Sequence, residues 1–243
     1  MSEPASTRAH AAVPFMNPMG EADVDAAIGA LGLGAGARVV ETGCGGAELL
    51  MRVLEAWPGA RGVGVDPDPH ALGRARAAAA SRLAAGRLEL VEARAEDAGL
   101  PAGAFDLVVN VASSHAHGGF PDALPALAAL ARDDRGLILY GEGFWAREPS
   151  PEYLDALGGA TADELPLGAE ALERAADEAG LDVVVVRAAA WADFDAYEEG
   201  LAAAAERYAD ADAAAYAARI RSRRALPDGT RTMGFALLTL RRA

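Results

Sequence analysis

Glu41, Gly43, Gly45 and Asp66 are the residues whose types and spacing promise chemistry. Val39 and Val40 lead into Glu41, and Thr42-Gly43-Cys44-Gly45-Gly46-Ala47 then offers a turn of small residues. An apolar helical pattern follows, with Leu49, Leu50, Val53 and Leu54. The stretch reads as strand, glycine turn, helix, which presents backbone N–H groups to a nucleoside ligand. Glycine suits such a turn because a Cβ obstructs close approach and disfavours positive φ. A dinucleotide fingerprint wants its third glycine at the sixth place, where this chain has Glu48; the fifth place holds the small Ala47. Asp66 lies some twenty positions beyond the turn, at the end of a second strand, where a carboxylate accepts both hydroxyl protons of a ribose. The plain alternative is an exposed loop acid.

A second set of residues follows later strands. His115 and His117 come after the apolar stretch Phe105 to Val111. An imidazole there titrates near neutrality and can take a proton; the plain alternative is a loop histidine in solvent or in a structural hydrogen bond. Glu142 follows the fifth strand, framed by Tyr140, Phe144 and Trp145, which suits a cationic acceptor or deprotonation of a thiol or hydroxyl. Alternatively Glu142 caps a turn and Trp145 is core. The two histidines have no cysteine or third ligand beside them, so no metal site is expected.

The elements that must position these groups alternate. Strands are expected at 38–41, 61–65, 88–92, 105–111, 137–140, 182–187 and 234–240, separated by helices over 21–31, 47–57, 69–85, 121–131, 169–179 and one long alanine-rich stretch, 194–224. That rhythm predicts an α/β fold: a doubly wound seven-stranded Rossmann-like sheet, mostly parallel, whose last strand returns antiparallel in an edge hairpin. Ligands bind such sheets beyond the carboxyl ends of the strands. Residues 1–19 are expected to form a mobile segment or a lid, and residues 20–243 a single domain with helical cap insertions at about 143–167 and 190–231.

Composition narrows the function. The net charge is −14 and all basic residues are arginine. Without lysine there is no P-loop and no pyridoxal Schiff base. An acidic surface disfavours nucleic acid. The arginines at 219, 221, 223 and 224 form a local basic patch that either binds an anion or is a solvated helix face. One cysteine, Cys44, allows no intrachain disulfide. No apolar run spans a membrane and no leader pattern opens the chain, so a cytoplasmic protein, monomeric or homodimeric, is expected.

Val40 to Ala47 resembles the first motif of the class I S-adenosylmethionine (SAM)-dependent methyltransferases, usually Asp-Leu-Gly-Cys-Gly-Thr-Gly. Gly62-Val63-Gly64-Val65-Asp66 is similar to that family's second strand, Ala93 to Pro101 to its Gly-Asp-Ala-Glu-Asp-Leu-Pro stretch, and Phe105-Asp106-Leu107-Val108 to its Phe-Asp-Leu-Val strand. Segments 114–119 and 141–154 look like those of a bacterial small-molecule subgroup. The resemblance implies SAM as cofactor and S-adenosylhomocysteine as product. It implies that Gly43 and Gly45 pass under the methionine part, Glu41 anchors its amino group, and the Asn110 carbonyl receives the ammonium. Asp66 would hold the ribose, Pro67 would line the adenine, and Ala95 and Glu96 would meet its edge. Arg94 stands where an adenine-reading Asp is common, which shifts that contact to backbone groups. His115, Glu142 and His117 would serve the acceptor, and Phe15, Asn17, Tyr140, Trp145, Tyr153 and Trp191 would surround it. Methyl transfer by direct displacement asks chiefly for alignment and exclusion of water. Two other functions remain open at this level: an NAD(P)-dependent oxidoreductase, and a SAM-binding protein without transferase activity.

Overall fold

The computed structural model describes residues 3–132 and 135–242. Among these, seven strands form one sheet in the order β3-β2-β1-β4-β5-β7-β6. The strands are β1 (Arg38–Thr42), β2 (Arg61–Asp66), β3 (Leu88–Glu92), β4 (Leu107–Val111), β5 (Leu137–Trp145), β6 (Leu181–Ala188) and β7 (Met233–Arg242). Neighbours from β3 to β5 are parallel, with Glu41 level with Gly64 on one side and Val109 on the other. The terminal strands are antiparallel. β7 sits inside β6, so the edge of the closing hairpin is β6.

The helices are α1 (Ala5–His10), α2 (Glu21–Gly29), α3 (Glu48–Ala56), α4 (Pro69–Arg82), α5 (Ala123–Leu130), α6 (Pro151–Ala156), α7 (Glu170–Glu178), α8 (Trp191–Ala205) and α9 (Ala211–Arg224). The chain divides into two compact units, where a single domain was expected. A sheet unit comprises Glu21–Glu142, Glu173–Arg187 and Leu237–Ala243; a helical unit comprises Met1–Gly20, Gly143–Leu172 and Ala188–Ala236. The expected insertions, 143–167 and 190–231, fall within the segments of the helical unit.

In the sheet unit β1 and β4 are almost wholly buried, as parallel strands with helices on both faces must be. α3 lies close on β2 because Gly62 and Gly64 carry no side chain. A Cβ at Gly62 would come within 2.9 Å of Leu50, and one at Gly64 within 2.9 Å of the Cys44 sulfur. Cys44 is thus packing material. Burial pushes its thiol far up, which suits an inert side chain rather than a nucleophile. Asp68 caps α4 through the His70 N–H at 2.8 Å, with Pro69 in the first turn.

In the helical unit the N-terminal residues take helical form. Residues from Ala5 to His10 are a helix with Ala5 and Ala9 buried; Met1 and Ser2 lie outside the described residues. Ala9 joins Leu201, Ala202, Ala205, Ala217 and Ile220 of α8 and α9 in one core. Alanine at most of these places lets the three helix backbones draw together. Arg8 pairs with Asp210 at 2.7 Å, the Ala5 N–H donates to Asp212 at 2.9 Å, and His10 bonds the Tyr197 hydroxyl at 2.9 Å. The alanine-rich helical stretch expected over 194–224 is built as two helices: the chain breaks after Ala205, and Asp210 caps α9 through the Ala213 N–H.

Candidate functional site

The candidate cofactor and proton-accepting residues lie in the sheet unit, at or near the carboxyl ends of β1, β2 and β4 and within β5. The turn after β1 is pinned at three points. The N–H groups of Gly43 and Cys44 both donate to the Val65 carbonyl, at 2.8 and 3.0 Å, and the Gly45 N–H donates to Asp66 Oδ2 at 2.8 Å. Asp66 Oδ1 accepts from its own loop, from the Asp68 N–H at 2.8 Å. The acid expected to hold a ribose therefore also holds the glycine turn. A carboxylate has about four lone-pair positions, so two are left for a ligand. Replacing Asp66 by Ala should cost about 1–3 kcal/mol of stability, the range for losing hydrogen bonds to a charged acceptor that water partly replaces. Urea denaturation would measure it, and the Gly45 amide should become fast-exchanging; an unchanged Gly45 exchange rate would contradict this role.

Gly43 and Gly45 have φ of +69° and +50°, and so does Ala47 at +54°. Ala47 is one of two non-glycine residues with positive φ among the described residues; the other is Ala112, at +55°, just after β4. Strained alanines thus follow both central strands, as often happens beside a functional site.

Glu41 is only 5% exposed. It does not point out over the turn: its Oε2 accepts the Leu50 N–H at 3.2 Å, satisfying an orphan donor in the first turn of α3. Burial pushes its carboxyl up to about 8, opposed by that hydrogen bond and reinforced by repulsion from Asp66 and Glu48. Asn110 is fully buried. Its Nδ2 donates to the carbonyl and hydroxyl of Thr42 and to the Ser113 carbonyl, each at 3.1 Å, while its Oδ1 has no partner.

Thr42, to which the sequence gives no role of its own within the motif, is the hub. Its hydroxyl accepts from Asn110 and lies 2.9 Å from His117 Nε2. Burial lowers the His117 pKa, against the attraction of Glu96, so the ring is neutral near neutral pH. His117, expected as a proton acceptor, thus has Nε2 already engaged. Ser113 follows β4; its hydroxyl lies 3.0 Å from the Gly43 carbonyl and 3.1 Å from that of Val111, tying the ends of β1 and β4. His115 is exposed on the same 3-10 turn, Ser114–His117. The neighbouring 3-10 turn, Ala95–Asp97, packs against it. There Ala95 is half-buried, and Arg94 and Glu96 form an exposed ion pair at 2.7 Å. Pro67 is exposed at the end of β2.

On β5, Tyr140 and Glu142 share a face and are buried, with the phenol donating to Glu142 Oε2 at 3.0 Å. Burial first, then the Glu142 carboxylate, hold the Tyr140 phenol far above its usual range, so it stays protonated.

The remaining residues expected around the acceptor belong to the helical unit. Trp145 is buried, its indole N–H donates to the Ala162 carbonyl at 2.8 Å, and Tyr153 meets it edge-on at 6.1 Å. Asn17 is buried and accepts from the Met19 N–H, a local turn, and Phe15 is buried near it in sequence. Trp191 is 38% exposed and lies under Arg231 at 5.0 Å. The helical unit contains a cavity among α6, α8 and α9, and none of the six residues expected around the acceptor lines it. Among the described residues no three His, Cys, Asp or Glu side chains gather as a metal site, and no helix is long and apolar enough to cross a membrane.

Residues 39–133 match the model of a methyltransferase domain. Over 90 residues the chain is 37% identical to trans-aconitate 2-methyltransferase of Streptomyces avermitilis; the match covers 37% of this chain and 33%, about a third, of that protein. Two solved structures share the whole fold. A SAM-dependent methyltransferase from Geobacter sulfurreducens in complex with S-adenosylhomocysteine has a TM-score of 0.84 at 21% identity, over 98% of both chains. Its counterpart from Thiobacillus denitrificans, in complex with the same product, has a TM-score of 0.81 at 24% identity, over 100% of both chains. The matched methyltransferase domain takes in the glycine turn, Asp66 and Asn110, and the chain shares from end to end the fold of these two SAM-dependent methyltransferases.

Proposed function

We propose that the protein transfers a methyl group from SAM to a small-molecule acceptor, using the groove at the ends of β1, β2 and β4 for the cofactor. One observation carries the reading. At the ends of β1 and β4 two buried acceptors lack a cation, on opposite faces of the sheet by their register: the Glu41 carboxyl, and Asn110 Oδ1, which has no hydrogen-bond partner. A buried acceptor left unmatched costs stability, and a ligand carrying an ammonium group relieves it. SAM, when bound, supplies a methyl group made electrophilic by its sulfonium. The protein's own residues do the rest. Asp66 holds the turn and retains lone pairs for a diol. Gly43 and Gly45 keep the main chain bare, and Ala95 and Glu96 flank the adenine edge. His115 and Glu142 remain the groups suited to take a proton from an acceptor. His117 acts through Thr42 as a positioning residue.

The small acceptor is supported by the name of the Streptomyces relative and by the net charge of −14, which repels phosphate backbones. The test is an acceptor screen read by mass for a gain of one CH2, beside thermal shifts with SAM, S-adenosylhomocysteine and NADH. Stabilisation by both adenosyl nucleosides and not by NADH is expected, and Asp66→Ala should weaken it at least about tenfold, about 1.4 kcal/mol. Stabilisation by NADH alone would replace this reading with an oxidoreductase; SAM binding without turnover across the screen would leave a binding protein.

A further inference from the structure

The cavity of the helical unit has a volume of about 150 Å³. Leu157, Phe194, Leu201, Ile220 and Met233 give it an apolar wall. A cavity of about this size lined by such side chains takes up a body as large as benzene.

Its polar side is cationic, in a chain whose overall charge is strongly negative. Glu198 is buried and uses both oxygens: Oε1 accepts from Arg223, and Oε2 from Arg224 at 2.7 Å. Asp195 accepts from Arg224 at 3.2 Å and from Arg231 at 3.1 Å. Three guanidinium groups therefore share two carboxylates, which leaves one positive charge in excess. Arg219 adds another. It stands on the cavity wall beside the Tyr216 ring, 5.9 Å from its centroid, and pairs with no carboxylate among the described residues. Arg223 also lines the cavity, and its Nε–H is buried without an acceptor. An unmatched buried donor calls for an acceptor, and a planar carboxylate accepts two parallel N–H bonds from arginine. A cationic ligand finds no free partner, since both oxygens of Glu198 are engaged.

We propose that this cavity binds a small apolar monocarboxylate, its benzene-sized body against Leu201, Ile220 and Met233 and its carboxylate between Arg219 and Arg223. The site is built within the helical unit and does not depend on the methyl-transfer reading.

Phenylacetate is the probe, titrated calorimetrically into the full chain with no nucleoside present, so the outcome is separate from any failure of SAM binding. Saturable binding at one site is expected, with slowed amide exchange confined to α6, α8 and α9. Phenylacetamide, equal in shape but uncharged, should not bind saturably, and inorganic phosphate, charged but without an apolar body, should not displace the acid. Arg219→Gln alters an exposed side chain with no ion pair; it should keep the wild-type melting temperature and weaken phenylacetate at least about tenfold. Ala156→Phe, which fills the cavity from α6, should abolish binding. The proposal is overturned if phenylacetate does not saturate, if the amide binds as well as the acid, or if Arg219→Gln binds as tightly as the wild type.

Discussion

Gly43→Ala will destabilise the protein by about 2–5 kcal/mol and cost it the adenosyl nucleoside. The figure adds two physical effects. Gly43 has φ of +69°, and an L-residue with a Cβ loses roughly 1–2 kcal/mol in that region. The new methyl would also sit 2.5 Å from Ser113 Cβ and 2.6 Å from its hydroxyl oxygen, and such overpacking costs about 1–3 kcal/mol. Ser113 cannot turn aside freely: it is buried, and its hydroxyl ties Gly43 and Val111. The main chain must give instead, and it is the main chain that the nucleoside is proposed to lie against. The need for glycine here thus comes first from the protein's own Ser113 and from φ. A double variant separates the two effects. Gly43→Ala with Ser113→Gly removes the collision and leaves the backbone strain, so it should recover about 1–3 kcal/mol in urea unfolding beyond what the single effects sum to. If Gly43→Ala unfolds at the wild-type midpoint and binds S-adenosylhomocysteine unchanged, the turn does not have the role described.

What could be read in advance was local. The glycine turn, the apolar run of β4, the acid at the end of β2 and the Asp-Pro start of α4 are all signals within a few residues of one another, and each element stands where its signal lay. What escaped depends on partners far away in the chain. Residues 5–10 look polar and small, and they become a helix because Ala9 fits among Leu201, Ala217 and Ile220, about two hundred positions later. Thr42 is unremarkable until the register of β1 and β4 brings it to Asn110. Trp145 and Tyr153 have the composition of a pocket, yet an indole N–H that finds the Ala162 carbonyl and a ring that finds its edge pack as interior. One further signal is local. Asp210, three residues before Ala213 in an alanine-rich run, is a helix start, and it divides the helical stretch 194–224 in two. Glu41 shows both sides. Its position was legible, but its longer side chain reaches back to the first turn of α3, which only the packing of α3 on the sheet reveals.

Glu41→Gln should make the protein more stable above neutral pH and leave it nearly unchanged in acid. In the folded chain burial raises this carboxyl from its ordinary 4.5 to about 8. The folded state therefore keeps a proton that the unfolded chain gives up. With the pKa raised on folding, this group's contribution is fully present below about pH 4.5 and is lost as pH climbs through about 8. Between those limits the loss approaches about 1.4 kcal/mol per pH unit. Gln is neutral throughout and its amide oxygen can still accept the Leu50 N–H, so the variant escapes the loss. Urea midpoints measured across that range should coincide at the acid end and diverge by several kcal/mol toward pH 8, on the order set by the same linkage. The same proton reports on the cofactor. A bound ammonium group beside Glu41 favours the carboxylate, so nucleoside binding near neutral pH should expel the proton. Calorimetry in two buffers of different ionisation enthalpy counts it, and subtracting the Gln variant removes any proton contributed by the ligand's own amine, which titrates nearby. Wild type should release more protons than Glu41→Gln and bind more tightly. Equal proton counts would mean that the carboxyl stays protonated and that its task ends at the first turn of α3.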